Sequence, residues 1–328
     1  MMAEYPPYTI TSKMLRLSSE ISEMIAEIGA VNMNLHAPIL RKKNRVRSIT
    51  GSLQIEGNTL GEEQITALIE GRRVLGSMRE IEEVKGAIRA YDAIEAYDPF
   101  SIDDLLLAHR RMMGPLLERA GTFRFGNVGV YGKEGVSHIA PPPDQVPALM
   151  ERLFEWLRWT DEHPLIASSV FHYEFEFIHP FIDGNGRIGR LWHSVILGNY
   201  REIFYFVPIE SIVRTHQTRY YEMLEASGSL GESTPFVEFM LEVIHQSVEE
   251  FLTEYRKSDQ KSSQKSDQKI LNLLQKDKRM SIREMTLRLK MSESGVKKVL
   301  KKLKAEGKLR RIGSAKGGYW EVSNSDRN

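Results

Sequence analysis

Twelve consecutive residues, His179 to Arg190 (HPFIDGNGRIGR), gather more chemistry than any other stretch of this 328-residue chain. His179 is the group there whose ordinary pKa suits proton transfer near neutral pH. Asp183 offers the hard carboxylate oxygen that Mg²⁺ takes when it also holds nucleotide phosphates. Gly184 and Gly186, on either side of Asn185, let backbone N–H groups approach an anion closely, and a helix starting behind them adds the positive end of its dipole. Arg187 and Arg190 stand three apart on one face of that helix, where both can clamp phosphate oxygens. A Gly-Asn-Gly turn alone is most often a surface loop. A base, a hard ligand, an anion nest and two cations together describe a site for nucleotide chemistry.

Two helical patterns must hold this loop. Pro164 to Ile178, dense in aromatic residues, runs into it, and Ile188 to Gly198 runs out of it. Phe171, His172, Tyr173, Phe175 and Phe177 read as core around the site, and Phe181 as the anchor that lets His179 project into a cleft. Upstream, Ile10 to Ile28 is amphipathic and a second helix starts near Pro38. Ser52 and Glu56 lie four apart on its last turn, which Gly57 and Asn58 stop. Further helices are expected over Gly61 to Leu75, Arg79 to Tyr97, from Ser101 through His109, and over Val146 to Trp159. His109 reads as an ordinary helix histidine, because no partner spacing surrounds it.

Gly121 to Pro143 changes character. It reads as a β-hairpin turning at Gly132 to Gly135, and an exposed hairpin edge can bind an extended peptide by strand addition. Beyond the loop, a helix over Arg214 to Glu225 carries Tyr220 and Tyr221, whose ring faces can stack on a nucleotide base. Thr234-Pro235 then caps a long helix expected to reach about Arg256.

A net charge of +1 hides an asymmetry: residues 256–328 hold 21 Lys and Arg against 8 Asp and Glu, and the remainder holds 24 against 36. A basic tail on an acidic body points to a polyanion-binding module, nucleic acid first. Lys257 to Lys269 is polar, serine-rich and free of apolar residues, which predicts a flexible linker. Behind it come three short helices, the third bearing Lys297, Lys298, Lys301, Lys302 and Lys304, and a strand pair around residues 313–317. The pattern resembles a winged helix-turn-helix domain, residues 270–324, whose third helix enters the DNA major groove. There are no cysteines, no leader-like N-terminus and no run of eighteen apolar residues, so a cytoplasmic protein with no membrane partner is expected.

His179 to Arg190 matches the Fic family signature, His-x-Phe-x-(Asp/Glu)-Gly-Asn-Gly-Arg-x-x-Arg, at every defined position. The resemblance implies a mainly α fold, a Fic-type helical bundle with a β-hairpin flap, here followed by the winged domain. It implies transfer of AMP from Mg·ATP to a Ser, Thr or Tyr hydroxyl of a target protein held at the flap. By the same resemblance His179 is the base, Asp183 holds Mg²⁺, and Gly184, Asn185, Gly186, Arg187 and Arg190 bind phosphates. The family also places a Tyr-Tyr pair near the base pocket, as at Tyr220 and Tyr221. Ser52 to Gly57 matches its inhibitory motif, (Ser/Thr)-x-x-x-Glu-(Gly/Asn), which implies that Glu56 pairs with Arg190 where an ATP γ-phosphate would sit. Doc-type relatives carry lysine at position 186 and transfer the γ-phosphoryl group, whereas Gly186 favours attack at the α-phosphate.

The expected organisation is a helical region over 1–95 with the inhibitory motif at 52–57, a catalytic core over 96–256 with the flap at about 121–143, a linker over 257–269 and the winged domain. Relatives are often homodimers. Two other readings use the same residues: removal of AMP with Glu56 activating water, and a DNA-binding transcription regulator whose body senses nucleotide.

Overall fold

The computed structural model describes residues 6–30, 37–132, 135–314 and 317–323. Its chain divides into two compact units, Met1–Leu252 and Thr253–Asn328. Among the described residues the first is helical apart from one hairpin. The regions 1–95 and 96–256, expected as separate blocks, form one body because their helices share a core. Helix α1 (Ser12–Ala30) turns Met14, Leu17, Ile21, Ile25 and Ile28 inward. Helix α2 (Ala37–Ile55) buries Val46, Ile49 and Leu53 in the same cluster as Phe171 and Phe175 of α7 (Pro164–Ile178) and Ile188 and Trp192 of α8 (Asn185–Tyr200). Helices α3 (Glu62–Ile69), α4 (Met78–Asp92), α5 (Ile102–Met113) and α6 (Val146–Trp159) complete that core.

Local chemistry sets the element ends. Ser77 caps α4 in a full capping box with Glu80, and Ser101 accepts from the Asp104 N–H at the start of α5. The long helix expected at 61–75 ends at Ile69, and α8 begins at Asn185, three residues before its apolar pattern does. The hairpin pairs β1 (Gly129–Gly132) with β2 (Gly135–Ile139) in antiparallel register, Gly129 opposite Ile139. Its turn residues 133–134 lie outside the described residues. Sequence periodicity missed a 3-10 turn at Glu202–Phe206 and the short α9 (Ile209–Thr215), and placed α10 (Gln217–Leu230) three residues early.

The linker expectation is corrected. Residues 257–269 are helical, part of a single α11 (Thr234–Lys276). The segment contains neither glycine nor proline and is half lysine and glutamine, so continuing the helix costs little per residue. The boundary between the two units falls within α11, at Leu252/Thr253.

The second unit closes over Ile270, Leu274, Met285, Val296, Leu300, Leu303 and Trp320. Ser281 and Glu284 form the capping box of α12 (Ile282–Leu289), and Ser292 caps α13 (Glu293–Ala305). Strands β3 (Leu309–Ile312) and β4 (Tyr319–Val322) pair antiparallel as the wing. Asp267 binds the Lys302 Nζ at 2.7 Å, tying the end of α11 to α13. Among the described residues no helix is long and apolar enough to cross a membrane.

Candidate active site

His179 is the residue that ends α7, and it does so at φ +51, a left-handed conformation that non-glycine residues adopt at a cost. The turn is held from outside. Arg124, almost fully buried, donates from Nε to the His179 carbonyl at 2.8 Å and from Nη2 to the Ile178 carbonyl at 3.3 Å, satisfying two orphan acceptors of the helix end. Its Nη1 reaches the Gly126 carbonyl at 3.0 Å, so one guanidinium ties the loop to the chain entering the hairpin. The Nδ1 of His179 makes a long contact, 3.4 Å, with the Glu176 carbonyl. A proton on Nδ1 donated there leaves the Nε2 lone pair for other work. Burial lowers the His179 pKa, against the opposing pull of Glu176, so the imidazole is neutral at pH 7.

The loop is closed by its own side chains. Asn185 accepts from the Phe181 N–H and donates to the Phe181 carbonyl, both at 2.8 Å. Its amide thereby ties the loop closed. Phe181 is buried and stacks on His109 at 3.7 Å. His109 accepts from the Gly121 N–H through Nδ1 at 2.7 Å and meets the Asp183 carbonyl through Nε2 at 3.0 Å, which fixes its proton on Nε2. Burial lowers its pKa to about 4, so it stays neutral. The helix histidine of the sequence reading is a prop under Asp183.

Asp183 keeps its carboxylate partly exposed, with Oδ1 accepting from the Arg187 Nη2 at 2.8 Å. Gly184 takes φ +87 as the residue before α8, a conformation open to glycine, and the first N–H groups of α8 then have no carbonyl behind them. Among the described residues no cluster of three or more metal-binding side chains occurs. A partly exposed carboxylate with one oxygen held by Arg187, beside helix N–H groups that can hold phosphates, suits a Mg²⁺ ion that takes its remaining oxygens from phosphates and water.

Arg190 is 2% exposed and carries the central contact. Its Nη2 donates to the Glu56 Oε1 at 2.7 Å and to the Ser52 carbonyl at 3.0 Å, and its Nε meets the Ser52 Oγ at 3.3 Å. Burial pulls its pKa down, but the Glu56 carboxylate, with Tyr220 and Glu176 adding to it, more than reverses this and the guanidinium titrates above its ordinary value. A Cβ on Gly186 would stand 2.5 Å from the Glu56 Oε1, so the carboxylate lies directly against the first turn of α8. Glu56 thus occupies an anion position built from a helix start and an arginine.

Two further predicted residues, Tyr220 and Tyr221, lie within electrostatic reach of Glu56 and Arg190. Tyr220 is 1% exposed, its hydroxyl against the His172 Nε2 at 3.1 Å, and it offers no open face to a base. Tyr221 is exposed and packs edge-on against it at 5.3 Å. Two residues were missed. Arg124 has no local signal, since its partners come from 54 and 55 positions away. Glu176, one helical turn before His179, had one: its carboxyl is buried, its Oε1 has no hydrogen-bond partner, and burial pushes its pKa up to about 7.

The sequence profile of the Fic/DOC family matches residues 99–197. A crystal structure of a Fic family protein from Desulfovibrio desulfuricans G20 superposes with a TM-score of 0.73 at 38% identity, covering 98% of this chain and 99% of that one. The chain belongs to the Fic/DOC family. A solved structure of Fic-1 (residues 134–508) from C. elegans aligns at 25% identity and TM-score 0.60, covering 75% of this chain and 72% of that one. Curated relatives named "Protein adenylyltransferase Fic" include one from Aedes aegypti, 29% identical over 245 residues, and one from Drosophila melanogaster, 31% identical over 226. These matches take in 70% and 65% of this chain but 46% and 43% of the relatives, so the chain spans less than half the length of the curated Fic proteins it resembles. A profile of winged helix-turn-helix DNA-binding domains matches residues 264–310.

Proposed function

We propose that this Fic protein is an autoinhibited AMP transferase. The observation that carries the reading is the Glu56 carboxylate on Arg190 at 2.7 Å, over Gly186 at the start of α8. With Glu56 withdrawn, Arg190, Arg187 and the first α8 amides receive the phosphates of ATP, and Asp183 holds Mg²⁺. The metal would supply charge neutralisation on the phosphate oxygens. The neutral His179 accepts the proton of a target Ser, Thr or Tyr hydroxyl. The hydroxyl oxygen bonds to the α-phosphorus, the bond to the bridging oxygen breaks, and pyrophosphate leaves. The hairpin β1–β2 presents an edge for the target segment by strand addition.

The test uses α-labelled ATP with Mg²⁺ and host lysate on wild type, Glu56→Gly and Glu56→Gly/His179→Ala. Label on protein should be faint in wild type, strong in Glu56→Gly and absent from the double variant. Equal labelling by wild type and Glu56→Gly would remove the inhibitory role. Loss in Glu56→Gly of AMP removal from a pre-modified target would instead favour Glu56 as the base that activates water.

A second reading concerns the winged unit. Lys298 and Lys301 of α13 are exposed, and the matched profile is that of DNA-binding domains. We infer that this unit binds DNA mainly through phosphates, with an affinity that falls steeply with salt. Failure of the full-length protein to bind duplex DNA at low salt would make the unit a protein-docking module.

A further inference from the structure

The turn that carries Glu56 is closed mostly by its own backbone. The N–H groups of Glu56 and Asn58 bond to the Leu53 carbonyl and that of Gly57 to the Gln54 carbonyl, each at 3.1 Å, with Gly57 at φ +90. A helix end closed this way by a left-handed glycine still leaves an acceptor over. Among the described residues no backbone N–H reaches the carbonyl of Ile55, the last residue of α2. The peptide unit of that carbonyl is the one from which Glu56 springs. Its donor comes from another helix: Gln217, the first residue of α10, gives an Nε2–H to the Ile55 carbonyl at 2.9 Å, across 162 positions of sequence.

The Gln217 amide is oriented by its neighbour. Arg214 of α9 donates from Nη1 to the Gln217 Oε1 at 2.6 Å. A guanidinium only donates, so the amide oxygen faces Arg214 and the NH₂ group faces Ile55. The distance is set as well, because α9 rests on α2 backbone to backbone: a Cβ at Gly51 would stand 2.7 Å from the Glu210 carbonyl oxygen and the Ser211 nitrogen. On the other side of Glu56, Asn58 donates to the Glu83 Oε2 at 2.8 Å, and Thr59 donates to the Glu80 Oε1 through its N–H and its hydroxyl. Glu56 thus stands between two pins, Gln217 before it and the α4 contacts after it. We propose that Gln217 is a positioning residue of the inhibitory contact: its amide fixes the Ile55–Glu56 peptide and so aims the Glu56 carboxylate at Arg190. Glu56 is one-third exposed, and without the first pin its side chain has solvent to turn into. Drawing the amide of α10 away then opens Arg190 to phosphate. The inference rests on the inhibitory role of Glu56.

The test measures binding of α,β-methylene-ATP, which cannot lose AMP, with Mg²⁺ to the intact protein by calorimetry. Gln217→Met keeps the length of the side chain and removes the donor. It should bind the analogue about five-fold more tightly than wild type, the worth of one neutral hydrogen bond. Gln217→Lys, which returns a donor of similar reach, should fall back toward wild type. In the Glu56→Gly background Gln217→Met should change nothing, because the group it aims is gone. An unchanged Kd in Gln217→Met, or the same gain with and without Glu56, overturns the proposal. Hydrogen exchange at the amides of Glu56, Gly57 and Asn58 should quicken several-fold in Gln217→Met while the interior of α8 keeps its protection, and unchanged exchange there also overturns it. Glu56→Gly binding the analogue no more tightly than wild type would remove the inhibitory reading and the pin with it. A gain in Glu56→Gly without one in Gln217→Met removes the pin alone.

Discussion

The loop from His179 to Arg190 and the helix α13 both cluster cations, and they hold them in opposite ways. Arg187 and Arg190 are 5% and 2% exposed, each with a carboxylate at 2.7–2.8 Å. Lys298 and Lys301 stand in solvent. A buried cation needs an anion, and whichever anion occupies it decides the state of the site. Exposed cations add small, screened increments to the attraction of any polyanion. On the proposed function, the first arrangement would serve as a switch and the second as an adhesive.

Breaking the buried arrangement should have the largest effects. His179→Ala in the Glu56→Gly background should cut AMP transfer by about 10²–10⁴-fold, measured with α-labelled ATP. Arg124→Ala leaves two carbonyls at the end of α7 without donors and should cost about 2 kcal/mol in denaturant unfolding, with kcat falling more than KM rises. Glu56→Gly should raise transfer but lower stability by about 2 kcal/mol, less than for a fully buried pair because Glu56 is one-third exposed. Added ATP should restore the lost Tm, and a Glu56→Gly protein as stable as wild type would show that Arg190 needs no anion.

The pH dependence sharpens the same contrast. The Glu176 carboxyl, raised to about 7, binds its proton more tightly folded than unfolded, so it costs stability as pH climbs from its ordinary value of 4.5 to 7. Glu176→Gln should flatten that decline in a series of thermal melts. His179, lowered, is already neutral at pH 7, so transfer should fall only on the acid side of its ordinary pKa of 6.5. The smallest effects belong to the exposed set: Lys298→Ala or Lys301→Ala should each lower the salt slope of DNA binding by about 1.

What was legible follows the same division. The loop is contiguous, so residue type and spacing reported its chemistry directly, and α6 and α7 were read to the residue from their apolar periods. Residues 257–269 misled because low hydrophobicity speaks about burial and not about helix formation. Tyr220 differs in the reverse sense: an aromatic residue after the loop was read as a platform, whereas its hydroxyl lies against the His172 Nε2 in the core. Arg124 and His109 could not be found in advance, since their partners lie 55 and 74 residues away and only folding brings them together.

Gly186 carries a consequence for how such chains diverge. The Glu56 carboxylate packs against a position that has no side chain: a Cβ there would stand 2.5 Å from the Glu56 Oε1 and 2.9 Å from the Arg190 Nη1. A larger residue at this position makes the ends of the Glu56 and Arg190 side chains shift from where they now meet. On the proposed function, restraint by Glu56 and the approach of the nucleotide phosphates both depend on this one position, so a single substitution there would alter the two together.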